Sequence, residues 1–224
     1  MKTVAIIVAA GVGSRLKARV RKPFVRLRGK PMLAWTLKAF EAAESVDGIV
    51  LVVHSADVKA AQRMARSFGC RKILRVVPGG SSRMESVGRG LKALPPQTQW
   101  VAVHDGARPL VTPELIVATL KAARTAKAAI AAVPVVPTIK QATGLWVSKT
   151  IDRRQLWAVQ TPQVFERKLL ERAHSNGRRN GAAATDDAAL VEALGGRVRI
   201  VPGDHRNLKV TTPEDLVMAE ALLR

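Results

Sequence analysis

Short apolar runs alternate with stretches of helical spacing along most of this chain. Val4-Ala5-Ile6-Ile7-Val8, Ile49-Val50-Leu51-Val52-Val53, Lys72 to Val77, Trp100 to His104 and Ala129 to Val136 read as buried strands. Between them, Met32-Leu33…Leu37…Phe40, Asp57 to Phe68, Ser82 to Leu94 and Pro113 to Ala126 read as helices. The punctuation agrees. Gly69 ends one helix, Pro95-Pro96 closes another, and Thr112 with Pro113 supplies an N-cap and a first helical residue. Strands alternating with helices in this way predict βαβ units, hence an α/β fold with a mostly parallel sheet covered by helices on both faces.

The rhythm breaks from about Pro137 to Thr161. Two β-type runs flank Gly144 there, which predicts a hairpin, or β-arm, at about 137–157 projecting from the sheet. Core periodicity resumes at Phe165 to Ala173, Thr185 to Leu194 and Arg197 to Val201. A last helix is expected to start with Thr212 as N-cap, Pro213 behind it and acids in its first turn. With 224 residues, no repeat and no long linker, the chain is expected to form a single domain, 1–224, carrying that arm.

Open parallel sheets bind ligands beyond the carboxyl ends of their strands. The first strand runs directly into Ala9-Ala10-Gly11-Val12-Gly13-Ser14-Arg15-Leu16, followed by Lys22 and Gly29-Lys30-Pro31. Small residues let the backbone approach an anion closely, and the Arg and Lys add positive charge. This loop reads as a polyphosphate site. Neither common phosphate motif fits: Leu16 stands where a dinucleotide fingerprint needs its third small residue, and no Gly-Lys-Ser/Thr closes a P-loop. The bland alternative is a strand–turn–helix with Arg15 and Lys22 as solvated cations.

Composition narrows the class. No apolar run reaches membrane-span length, and the short apolar start leads into a Gly/Arg loop rather than a signal-peptide cleavage site. One cysteine, Cys70, permits no internal disulfide and suits a cytoplasmic location. The four scattered histidines suggest no structural zinc site. The net charge is +20, from 37 Lys and Arg against 17 Asp and Glu. Such charge suits anionic substrates or nucleic acid. The basic residues are dispersed and only eight aromatics are present, four Trp and four Phe, so a stacking platform for nucleic acid is poorly supplied.

Four further motifs follow the first loop. They are Gly79-Gly80-Ser81-Ser82-Arg83-Met84-Glu85-Ser86-Val87, Val103-His104-Asp105-Gly106-Ala107-Arg108-Pro109, Leu156-Trp157-Ala158-Val159-Gln160-Thr161-Pro162-Gln163-Val164-Phe165 and Asn207-Leu208-Lys209-Val210-Thr211-Thr212-Pro213-Glu214-Asp215. In this order they resemble the 2-C-methyl-D-erythritol 4-phosphate cytidylyltransferases over essentially the whole chain. Ribitol 5-phosphate cytidylyltransferases share much of the pattern. The resemblance implies a Rossmann-like sheet of the nucleotide-diphospho-sugar transferase type, CTP and a polyol phosphate as substrates, and pyrophosphate release in non-mevalonate isoprenoid biosynthesis. It also implies Mg²⁺ and a homodimer joined through the arm. Some members continue into a cyclodiphosphate synthase domain; the sequence stops at Arg224, so that domain is not expected.

Site residues carry over position by position. The resemblance implies Arg15, Lys22 and Lys209 as catalytic cations. Ala9, Ala10, Gly11, Gly13, Gly80, Arg83, Ser86, Asp105 and Ala107 would bind the nucleotide, with Asp105 also at the metal. Arg153, Thr138, Thr161 and Thr185 would hold the polyol phosphate. Thr185-Asp186-Asp187 also reads as a plain helix start, and Asp105 as a turn residue. Three departures leave choices open. Arg21-Lys22-Pro23 replaces the usual Pro-Lys-Gln, so Arg21 competes with Lys22. Arg154 competes with Arg153. Pro137 stands where an Asp usually grips polyol hydroxyls.

Overall fold

The structure is a computed structural model; it describes residues 2–11, 16, 20–181 and 184–223. Gly13 and Arg15 of the first loop lie outside the described residues. Among the described residues a seven-stranded sheet forms the centre. It contains β1 (Thr3–Ala9), β4 (Gly48–Val53), β5 (Ile73–Pro78), β6 (Trp100–Asp105), β7 (Ala128–Pro134), β10 (Trp157–Glu166) and β11 (Arg199–Pro202). The order is β11-β7-β10-β6-β1-β4-β5, and β10 alone runs antiparallel to its neighbours. The remainder pairs in parallel, with Val8 opposite both Val52 and Asp105.

Both faces of β1 are buried, which is why its sequence is apolar without alternation. Ile7 belongs to a core with Leu33, Leu37 and Phe40 of α1 (Met32–Ala42) and Ile116 and Leu120 of α4 (Pro113–Ala126). α2 (Val58–Ser67) joins that core through Ala61 and Met64. Ile6 belongs to a second core with Val87 and Leu91 of α3 (Arg83–Lys92), Leu170 and Ala173 of α5 (Arg167–Arg179) and Leu190 of α6 (Asp187–Glu192). The expected two-sided α/β architecture is therefore present. A smaller cluster joins Leu27 of β2 (Arg26–Leu27), which pairs with β3 (Lys30–Pro31), to Ala219 of α7 (Pro213–Leu222). Thr212 caps α7 through a capping box with Asp215.

The expected hairpin is β8 (Ile139–Thr143) and β9 (Trp146–Ile151), a separate two-stranded sheet turning at Gly144 with φ +58°. Its strands are shorter than the expected 137–157 because 153–155 forms a single 3₁₀ turn and Trp157 already belongs to β10. Among the described residues no helix is long and apolar enough to cross a membrane.

Candidate active site

The strands β1, β5 and β6 end at Ala9, Pro78 and Asp105, so the loops that follow them share one edge of the sheet. There they enclose a cavity of about 480 Å³. Ala9, Ala10, Gly11, Lys22, Gly80, Arg83, Ser86, Asp105, Ala107 and Lys209 all line it. The approach is close: a Cβ on Gly79 would overlap the Ala10 side chain, so only glycine lets the β5–α3 loop meet the first loop. That loop is wired internally. The Ser86 hydroxyl accepts from Gly80 N at 3.0 Å and donates to the Ser82 carbonyl at 2.9 Å, while Ser82 caps α3. The Ser86 hydroxyl is thus committed to shaping the loop around the cavity.

Asp105 is the electrostatic centre. Lys209 Nζ lies 2.7 Å from its carboxylate, Arg83 Nε 3.1 Å, and Arg108 Nε 3.9 Å. Burial opposes its ionisation, but Arg83, Lys209 and Arg108 more than offset this and hold the carboxyl well below the usual range. Among the described residues, Asp105 is the one carboxylate lining this cavity, and no group of three or more His, Cys, Asp or Glu could hold a metal. That donor set fits an ion whose other ligands are phosphate oxygens and water; it does not fit an all-protein cage.

A second cavity of about 390 Å³ adjoins the first and shares Arg83, Asp105 and Lys209 with it. Thr161 and Thr185 line it, together with Arg108, Gln160 and Gln163. Thr161 is largely committed to the scaffold. Its Oγ1 accepts from Asp105 N at 3.1 Å and donates to His104 Nδ1 at 3.0 Å, leaving His104 Nε2 to face the Arg108 carbonyl. Asn207 completes the frame: its Nδ2 donates to the Thr161 carbonyl at 2.9 Å, and its own carbonyl accepts from Arg108 at 2.7 Å.

Thr138 and Arg153 line neither cavity. Both are exposed at the arm, where Arg153 bonds the Val136 carbonyl. Arg154 is bound by Asp152, with Nε within 3.0 Å of both carboxylate oxygens. The choice between Arg21 and Lys22 is visible too: Arg21 Nε pairs with Asp57 at 2.8 Å, outside the cavity that Lys22 lines. The structure adds Arg108, Gln163 and His54 to the cavity walls; the first two lie inside the quoted motifs. His54 follows β4 directly and lines the first cavity, and its strand-end position was the available signal.

The model of the 2-C-methyl-D-erythritol 4-phosphate cytidylyltransferase family matches residues 3–224. The chain belongs to this family. It is 47% identical over 223 residues to the cytidylyltransferase of this family from Desulforamulus reducens, covering 99% of this chain and 95% of that one. It is 43% identical over 226 residues to the one from Caldanaerobacter subterraneus subsp. tengcongensis, covering 100% of each. The crystal structure of 4-diphosphocytidyl-2C-methyl-D-erythritol synthase from Anaerococcus prevotii superposes with a TM-score of 0.89 at 33% identity, covering 99% and 96% of the two chains. In this cytidylyltransferase the loops that carry the family resemblance meet at one sheet edge, around Asp105.

Acid should destabilise this frame, and the sign can be worked out. Burial pushes His104 down to about 3 from an ordinary 6.5, so the folded state holds it neutral. Its contribution is complete above 6.5 and is lost as pH falls from 6.5 towards 3. Asp105 and Asp187, both depressed, add losses below the ordinary aspartate value of 3.8. The urea midpoint is expected to fall between pH 7 and 4, with His104 contributing up to about 1.4 kcal/mol per pH unit. His104→Gln should flatten that slope. An equal slope in the variant would remove His104 as its cause.

Proposed function

We propose that this chain transfers the cytidylyl group of CTP to 2-C-methyl-D-erythritol 4-phosphate and releases pyrophosphate. The observation that carries this reading is the joining of two cavities by Asp105, Arg83 and Lys209. One cavity is edged by the small-residue loop and the Gly80–Ser86 loop, and suits a nucleoside triphosphate. The other carries Arg108, Thr161 and Thr185 and suits a phosphate on a hydroxylated chain.

An acceptor phosphate oxygen attacks the α-phosphorus. A new P–O bond forms, the α–β bridging P–O bond breaks, and the electron pair leaves on pyrophosphate. No nucleophilic side chain is required. Charge on the α-phosphoryl oxygens is met by Lys22, Lys209 and Arg15, because positioned cations supply most of the catalysis in such a step. Asp105 would hold Mg²⁺, which neutralises phosphate charge when bound. The arm suggests a homodimer in which Thr138 and Arg153 reach the partner's acceptor cavity. The reduced, buried Cys70 suits a cytoplasmic setting.

The purified protein is expected to release pyrophosphate only with CTP, Mg²⁺ and a polyol phosphate together. Equal turnover with ATP or GTP would overturn CTP as the donor. Pro137, in place of the usual Asp, favours testing a second acceptor. Turnover of ribitol 5-phosphate without turnover of methylerythritol phosphate would transfer the assignment to that substrate.

A further inference from the structure

Behind the junction of the two cavities lies a buried polar pair with no part in the mechanism above. His174 of α5 and Asp187 at the start of α6 are each 1% exposed. His174 Nε2 donates to Asp187 Oδ1 at 2.8 Å. Arg83 Nη1 donates to the other oxygen, Oδ2, at 2.7 Å. Asp187 N donates to Gln163 Oε1 at 3.1 Å, and Gln163 Nε2 donates to Asp186 at 2.7 Å.

A helix start alone does not account for this carboxylate. Asp186 already caps α6, accepting from Ala189 N at 3.0 Å. Burying a further charge is costly, and that cost is offset only if the geometry is good and its lone pairs are satisfied. Here both oxygens are satisfied, one of them by a cation that lines both cavities. Arg83 is held at two points: Nε on Asp105 and Nη1 on Asp187. A guanidinium is a rigid planar fork, so two anchored nitrogens fix the whole group in place between the cavities.

We propose that Asp187, backed by His174, is a positioning residue for the transfer step, holding Arg83 against Asp105 on the wall that the two cavities share. The inference rests on the two-cavity reading above. His174 acts at one remove, by orienting the Asp187 carboxylate. The pair lies behind Arg83, so it acts on the joined phosphates rather than on recognition of the base.

The test separates positioning from mere structure. Asp187→Asn keeps the shape and removes the charge. It is expected to lower kcat by about tenfold, or about 1.4 kcal/mol of barrier, while CTP affinity without acceptor stays within about threefold. His174→Leu should move kcat in the same direction, and His174→Gln, which keeps an N–H donor, should recover most of it. In ¹⁵N spectra the Arg83 Nε–Hε signal should be sharp in the wild type and broadened in Asp187→Asn and His174→Leu. Unchanged kcat, or kcat losses matched by losses of CTP affinity or of folded protein, would overturn the proposal. The Arg83 signal does not depend on turnover. If the wild type transfers to no polyol phosphate, the function reading fails. An unchanged Arg83 signal in both variants would then overturn the positioning role separately.

Discussion

Lys22→Ala is expected to lower turnover by about a hundredfold or more while leaving CTP affinity nearly unchanged. The local fold explains why this residue carries the burden. Lys22 opens a short 3₁₀ turn, Lys22–Phe24, whose Pro23 is buried. Val25 packs beneath in the cluster with Leu27 and Met32. On the other side Arg21 is pinned to Asp57, a mostly buried carboxylate just before α2. The turn is thus fixed from both directions, and Lys22 is delivered to the wall of the first cavity. A cation placed in advance costs no reorganisation when charge grows on the α-phosphoryl oxygens. Such contacts act on kcat, because they strengthen only in the transition state. Arg21→Ala removes one support of the turn and no cavity wall, so its effect should be several-fold smaller. Steady-state kinetics with CTP titrated in parallel would decide. Near-normal turnover in Lys22→Ala with a large loss in Arg21→Ala would transfer the role to Arg21.

Much of this architecture was legible because the parallel strands are buried on both faces. β1 and β4 read as unbroken apolar runs, and α4 begins at Pro113 behind a Thr112 cap as expected. The motif positions fall at strand ends, and that placement brings them together. β10 was not legible as a strand. Its first three residues are exposed, and its buried stretch contains Gln160, Thr161, Pro162 and Gln163, so neither an apolar run nor an alternation appears. Those polar side chains are buried because they frame the second cavity. The side chains that frame the cavity are therefore the ones that hide the secondary structure. The His174–Asp187–Arg83 network was invisible for another reason. Its members come from α5, α6 and α3, and 104 residues separate Arg83 from Asp187. No local spacing encodes a contact of that kind. Arg21 and Lys22 are adjacent, and only the position of Asp57 tells which of them faces the cavity.

The largest expected effect of all belongs to the arm. Deleting β8 and β9 should yield a monomer that still binds CTP and does not turn over the polyol phosphate. A lone two-stranded hairpin is marginally stable in water. This one also leaves Leu145 fully exposed and Trp146 85% exposed, with Val147 beside them. Two arms packed against each other about a two-fold axis would bury those side chains and stabilise both hairpins. Arg153 and Thr138 line neither cavity of their own chain, which suits residues that complete a neighbour's site. Trp146→Glu provides the same test without a deletion, because a charge at the centre of an apolar contact opposes association. Sedimentation of the wild type as a fully active monomer at micromolar concentration would sink the idea. Complementation is sharper. Mixing inactive Lys22→Ala with inactive Arg153→Ala chains pairs them at random. About half the dimers would be mixed, each with one intact composite site, so about a quarter of wild-type activity should return. No recovery, in mixtures where mixed dimers are shown to form, would mean that each arm serves its own subunit.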